Sequence, residues 1–177
     1  MVLLFSPQTL IHRTKIYNME KKVFIHYGHL IEKEKFVPAF DGKTKYLQKP
    51  EGGLWSSPVD SNWGWVDWCT AEEFRTGTFK VWTKFKLKPN TKILIVDSFD
   101  DLVRIFSKYS IQDKTTCFEQ VLAFNKIIAD GYDGMYLTEN GNTECHFPQI
   151  DINLYTWDCE SLVLFNMDCI EIVETSK

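Results

Sequence analysis

Leu154-Tyr155-Thr156-Trp157-Asp158-Cys159-Glu160-Ser161-Leu162-Val163-Leu164-Phe165-Asn166 sets a polar, tryptophan-bearing turn against a short apolar run. Leu162 to Phe165 is wholly apolar and bounded by polar residues, the pattern of a strand covered on both faces. Glu160 therefore stands at the mouth of a core strand. A carboxylate fixed at the edge of a core is partly shielded from water and acts strongly on positive charge that develops near it. The same pattern also describes a solvated strand end.

Upstream, Lys22-Val23-Phe24-Ile25-His26-Tyr27-Gly28 is a β-branched and aromatic strand ending at a glycine, with His26 near its end. Residues 32 to 52 carry little periodicity and form a long loop, often a binding or lid element in a compact domain. Gly52-Gly53-Leu54-Trp55-Ser56-Ser57-Pro58 is a short strand entered through two glycines, which let a backbone or ligand approach closely. Asp60 to Trp68 holds three tryptophans in a turn-rich stretch. These form either a pocket wall or a plug at the core edge. Thr70-Ala71-Glu72-Glu73 is a capping-box pattern that starts a short helix.

From Lys80 to Leu87 apolar and polar residues alternate, giving a half-exposed strand whose lysine face is solvated or meets phosphates. Ile93 to Val96 is another strand. Ser98 opens a helix with Leu102, Ile105, Phe106 and Tyr109 on one face, and Thr116-Cys117-Phe118-Glu119 opens a second that stops near Asp130-Gly131. Gly134 to Leu137 is a strand, Glu139-Asn140-Gly141-Asn142 a turn, and Cys145-His146 a polar patch before Pro148. Leu162 to Phe165 and Ile170 to Val173 look like a hairpin or a bent strand. Many short strands with a few local helices imply an α+β fold built on a split, mostly antiparallel β-sheet.

The chain has 177 residues, 44% of them hydrophobic, 15% aromatic and 25% charged, which fits one ordinary globular domain. Residues 1–18 read as a loosely attached segment before a single domain over 19–177. A net charge of -4 argues against a general electrostatic affinity for nucleic acid. Five irregularly spaced cysteines fit reduced thiols and a cytoplasmic location. No run approaches the roughly 18 apolar residues of a membrane span. His26 and His29, and Cys145 and His146, are paired in sequence, but no further ligands stand at zinc-like spacing, so no metal is expected. Nothing marks out a particular cysteine as a nucleophile paired with a base, and neither phosphate-cradling glycine motif occurs.

What remains is a histidine ending one strand, an aromatic on a glycine-entered strand and a glutamate heading a late strand. In that order, Phe24-Ile25-His26-Tyr27-Gly28, Gly53-Leu54-Trp55-Ser56-Ser57 and Cys159-Glu160-Ser161-Leu162-Val163-Leu164-Phe165 resemble the ADP-ribosyltransferase fold. The resemblance is to the poly(ADP-ribose) polymerase and diphtheria-toxin-like branch with its His-Tyr-Glu triad, here as a His-Trp-Glu variant. It implies NAD as co-substrate and no metal. His26 would contact the adenine-side ribose and the Tyr27 backbone the nicotinamide amide. Gly53 and Ser56 would flank Trp55 in the cofactor site, where Trp55 packs on nicotinamide with Trp65 or Trp68 opposite. Glu160 would be catalytic. Cleavage of the nicotinamide-ribose bond passes through an oxocarbenium-like state, which a nearby carboxylate stabilises as in glycoside hydrolysis.

Two positions depart from the family: Trp55 replaces tyrosine and Tyr27 replaces glycine. Asp158 stands where other members carry an acidic or amide residue that helps select the acceptor. The resemblance thus implies a mono-ADP-ribosyltransferase acting on a protein or nucleic-acid acceptor, as a phage or bacterial effector or toxin. The alternatives are an NAD glycohydrolase, in which water is the acceptor, and a non-catalytic, tryptophan-lined binding or interaction module.

Overall fold

The computed structural model describes residues 19–43, 47–113, 120–146 and 152–177. The described strands are β1 (Val23–Tyr27), β2 (Leu54–Pro58), β3 (Trp82–Leu87), β4 (Ile93–Val96), β5 (Ser110–Gln112), β6 (Gln120–Leu122), β7 (Gly134–Leu137), β8 (Ser161–Leu164) and β9 (Ile170–Thr175). The helices are α1 (Trp65–Ala71), α2 (Phe99–Tyr109), α3 (Phe124–Ala129) and α4 (Glu139–Cys145). Seven strands form one sheet in the order β4-β7-β8-β2-β1-β3-β9, and β5 and β6 form a separate pair. Every pairing is antiparallel except β4 with β7, so the fold is α+β on a mostly antiparallel sheet.

β8 is buried at all four residues and flanked on both edges, which is why its sequence is so apolar. Because side chains alternate across a strand, the sheet carries a core on each face. Leu54, Leu162 and Leu164 join Phe24, Phe85 and Tyr136 on one face. Val163 and the partly buried Trp55 meet Trp157 and the apolar side of α2 on the other.

The sheet has one narrow seam. β1 pairs with β3 at all five of its residues, and Leu54, Trp55 and Ser56 of β2 pair with β8. Between β1 and β2 only Phe24 with Pro58 and Ile25 with Ser57 are in register. Past Ile25 the two strands part, and the gap opens at His26, Tyr27 and Trp55.

Four elements differ from the sequence reading. α1 begins at Trp65, not at Thr70, because the Asp67 carboxylate takes the Gly64 N–H at 2.9 Å and closes the first turn there. Thr70 instead donates its hydroxyl to the Val66 carbonyl within the helix. α3 begins at Phe124; residues 116–119, where a start was expected, lie outside the described residues, and Gln120–Leu122 is strand β6. The long loop supplies the α3 cap, since Asp41 accepts from Phe124 N at 2.6 Å and Asn125 N at 3.3 Å.

The expected turn at Glu139-Asn140-Gly141-Asn142 is the body of α4, capped by Thr138 Oγ1 accepting from Gly141 N at 3.0 Å. Its glycine serves close packing, because a Cβ at Gly141 would run into the Val96 carbonyl. Lastly, β9 does not form a hairpin with β8: it pairs with β3 at the sheet edge. The N-terminal segment 1–18 and Pro148 lie outside the described residues.

Candidate functional site

A cavity of about 600 Å³ occupies the seam where β1 and β2 part. Its β1 wall includes His26 and Tyr27, its β2 wall Trp55, Ser56 and Ser57, and α1 contributes Trp65. Five of the residues singled out in the sequence, His26, Tyr27, Trp55, Ser56 and Trp65, are thus brought together.

His26 is held at the parting point. Its Nδ1 lies 2.7 Å from the Trp55 carbonyl, which can only accept, so Nδ1 carries the proton. Nε2 is then the acceptor and faces His29 Nδ1 at 3.3 Å. Burial holds the His26 pKa below the usual histidine value; the Trp55 carbonyl opposes that shift and the His29 charge adds to it. The ring is therefore neutral near pH 7, with one nitrogen able to accept from a ligand hydroxyl that displaces His29.

The rings form two tiers. Trp55 packs edge-on against the buried Trp157, centroids 4.9 Å apart, and Trp157 Nε1 donates to the Gln48 carbonyl at 2.8 Å. Gln48 is itself buried and joins the loop to β6 through Leu122 N at 2.8 Å. The loop expected to be a lid or binding element is thus tied down at the cavity rim. On α1, Trp65 stacks on Trp68 with ring centroids 5.3 Å apart and planes at 23°. Tyr27 meets Phe79 edge-on, and its hydroxyl pKa is raised chiefly by burial.

Ser57 fixes the geometry between these walls. Its hydroxyl donates to the Glu160 carbonyl at 2.9 Å and accepts from Trp65 N at 3.0 Å, joining the start of β8 to the start of α1. The charged groups at the cavity are Lys49, Arg75 and Asp158. Lys49 Nζ lies 3.6 Å from Asp158 Oδ2 and 5.7 Å from the Trp55 ring centroid.

The Glu160 side chain points elsewhere. Residues 160, 162 and 164 share one face of β8, and the Glu160 carboxylate accepts from the Tyr136 hydroxyl on that face. It lines a separate depression of about 400 Å³ with Lys22, Thr138 and Asn140. The carboxylate that lines the seam cavity is Asp158, two residues earlier. Gly53 does not line the cavity either. With φ at +74° and a Cβ position 2.8 Å from Val163 Cγ2 and 2.9 Å from the Leu164 carbonyl, it lets the chain enter β2 against β8.

Cysteine chemistry is disfavoured here. Cys159 lines the cavity, but burial pushes its thiol up to about 11, so little thiolate exists near neutrality. Cys69, Cys145 and Cys169 are also free and buried. Among the described residues no group of three or more histidines, cysteines or carboxylates could hold a metal, and no helix is long and apolar enough to cross a membrane.

Lys49 and Arg75 carry no signal in the sequence. One lies in the long loop and the other sits in a left-handed turn, φ 48°, so only the tertiary fold brings them to the cavity. Ser161, also in the cavity, stands in the sequence only as the polar residue before the apolar run Leu162 to Phe165. Comparison of the chain with protein-family models, with curated proteins and with solved structures finds no match.

Proposed function

We propose that the seam cavity binds NAD and that the chain breaks the nicotinamide-ribose bond, passing ADP-ribose to a protein or nucleic-acid acceptor. The observation that carries this reading is the convergence of flat indole walls, two cationic side chains, a neutral histidine and one carboxylate in a single cavity at the sheet seam. Trp55 and Trp65 suit a planar, positively charged pyridinium. Lys49 and Arg75 suit a pyrophosphate. His26 Nε2 suits a ribose hydroxyl. The volume of about 600 Å³ lies within the usual range for cofactor sites.

Chemically, the C1′–N bond breaks with its electron pair passing to the nicotinamide nitrogen, which becomes neutral. Positive charge develops on the ribose, and a carboxylate facing it lowers the barrier. The acceptor's oxygen or nitrogen then bonds to C1′ and gives up its proton to that carboxylate or to water. We assign the carboxylate to Asp158, since it faces the cavity, and keep Glu160 as its rival. Water in the acceptor's place gives NAD glycohydrolase.

The test is nicotinamide release from NAD with a cell lysate present, for wild type, Asp158→Asn and Glu160→Gln, with mass spectrometry for ADP-ribose adducts. Asp158→Asn is expected to lower turnover by about 10²–10³-fold, the usual effect of removing one electrostatic stabiliser. Release unaltered by Asp158→Asn overturns the assignment, and none from wild type overturns the reaction.

A second reading rests on the 3.6 Å Lys49–Asp158 pair, which blunts the field of the only carboxylate lining the cavity among the described residues. Such a site suits a nucleotide-binding module without catalysis. It predicts NAD binding that survives Asp158→Asn and no nicotinamide release.

A further inference from the structure

A second cavity, of about 510 Å³, lies beside the first. Trp65 lines the seam cavity and Trp68 lines the second, so their stacked rings are the partition between the two. Asp158 lines both.

The second cavity has open aromatic faces held in place. Trp63 is 37% exposed, yet its Nε1 donates to the Asp158 carbonyl at 3.1 Å and its own carbonyl accepts from Glu160 N at 3.0 Å. An exposed indole tied at its edge and backbone presents a face at little further entropic cost. Tyr155, half exposed, forms another wall beside the His146 ring at 5.1 Å.

Acceptors stand among these rings, beside the Thr143 hydroxyl, which donates to the Glu139 carbonyl, and the His146 ring. Glu72 supplies a carboxylate and Asp158 a second, the latter shared with Lys49 Nζ at 3.6 Å. Asn142 spends its Nδ2 on the Trp157 carbonyl, which leaves its amide oxygen to accept. Glu72 also caps the C-terminal end of α1, where the helix dipole favours a cation.

We infer that this cavity binds a guanidinium group, presented as an arginine side chain of a polypeptide. Guanidinium is planar, stacks on indole faces, stays charged, and carries five donors in a fork that fits carboxylates. A lysine ammonium has the charge without the plane. A nucleotide base has the plane but brings phosphate toward two carboxylates. The inference concerns binding and does not rest on the NAD-consuming reading, although Asp158 lines both cavities.

The test is an NMR titration of the six tryptophan indole N–H signals, assigned by single Trp→Phe substitutions, with N-acetyl-arginine amide as the probe. The signals of Trp63 and Trp68 are expected to move along a saturable curve while that of Trp157 stays fixed. N-acetyl-citrulline amide, the neutral near-isostere, and N-acetyl-lysine amide are expected to bind about tenfold or more weakly. Glu72→Gln, at an exposed site that leaves the fold intact, is expected to weaken arginine binding about fivefold or more. Citrulline or guanosine monophosphate binding as tightly as arginine overturns the inference, as does insensitivity to Glu72→Gln. Tighter binding of free agmatine than of the arginine amide overturns the polypeptide source.

Discussion

Replacing Glu160 by glutamine separates the two roles open to this carboxylate. Glu160 is 5% exposed, and the fully buried Tyr136 donates its hydroxyl to it. A hydrogen bond to a charged group contributes about 1.5–3 kcal/mol and a neutral one about 0.5–1.5, so Glu160→Gln, which keeps an acceptor but not the charge, loses roughly 1–1.5 kcal/mol. Relief of the burial cost of a charge offsets part of that, leaving about 1 kcal/mol. For a chain of this size that lowers Tm by about 2–4 °C. Combining Glu160→Gln with Tyr136→Phe should give less than the sum of the two single effects, because both remove the same bond. The assays are calorimetry and urea unfolding for all three variants, with nicotinamide release normalised to folded protein. Release by Glu160→Gln is expected within a fewfold of wild type. Unchanged stability with release lowered a hundredfold or more would overturn this account and place Glu160 in the reaction.

Asp41→Ala removes the cap that the loop lends to α3, and urea unfolding should show a loss of about 1 kcal/mol, up to about 2. Gly53→Ala should destabilise by about 1–3 kcal/mol in the same assay, since it forces a Cβ into φ +74° and against Val163 and the Leu164 carbonyl; full stability would contradict that packing. His26 has a folded pKa below its unfolded value of 6.5, so between the two the unfolded chain binds more protons. The stability it contributes is complete above about pH 6.5 and is lost as pH falls toward the folded pKa. His26→Gln should therefore narrow the difference in unfolding free energy between about pH 7.5 and 5.5, and an identical difference in both proteins would count against the buried, neutral ring.

Much of the sheet was legible because its signals are local. Alternation along Trp82–Leu87 identifies β3, the apolar runs identify β4, β7 and β8, and the Ser98 cap with Leu102, Ile105, Phe106 and Tyr109 identifies α2. The misreadings share one cause: a local motif served another purpose. Thr70-x-x-Glu73 resembles a helix start but lies at the end of α1, and Asn140-Gly141 resembles a turn but is the close-packed body of a helix. α3 takes its cap from Asp41, 83 residues away, which no local window can detect.

Periodicity and composition act over a few neighbouring residues, and from them alone follow the α+β class, the core strands and the segments from which the seam cavity is drawn. How those segments meet is a property of the folded chain. With both edges of β8 occupied by β7 and β2, β9 must pass to the far edge beside β3, where its glutamates stay in water. The two-residue pairing of β1 with β2 opens the cavity; Glu160 continues the face of Leu162 and Leu164 toward Tyr136, whereas Asp158, beyond the bend at Cys159 and Glu160 that precedes β8, enters the cavity. Which face a carboxylate takes depends on strand register and on where regular pairing begins, and one residue of register reverses it.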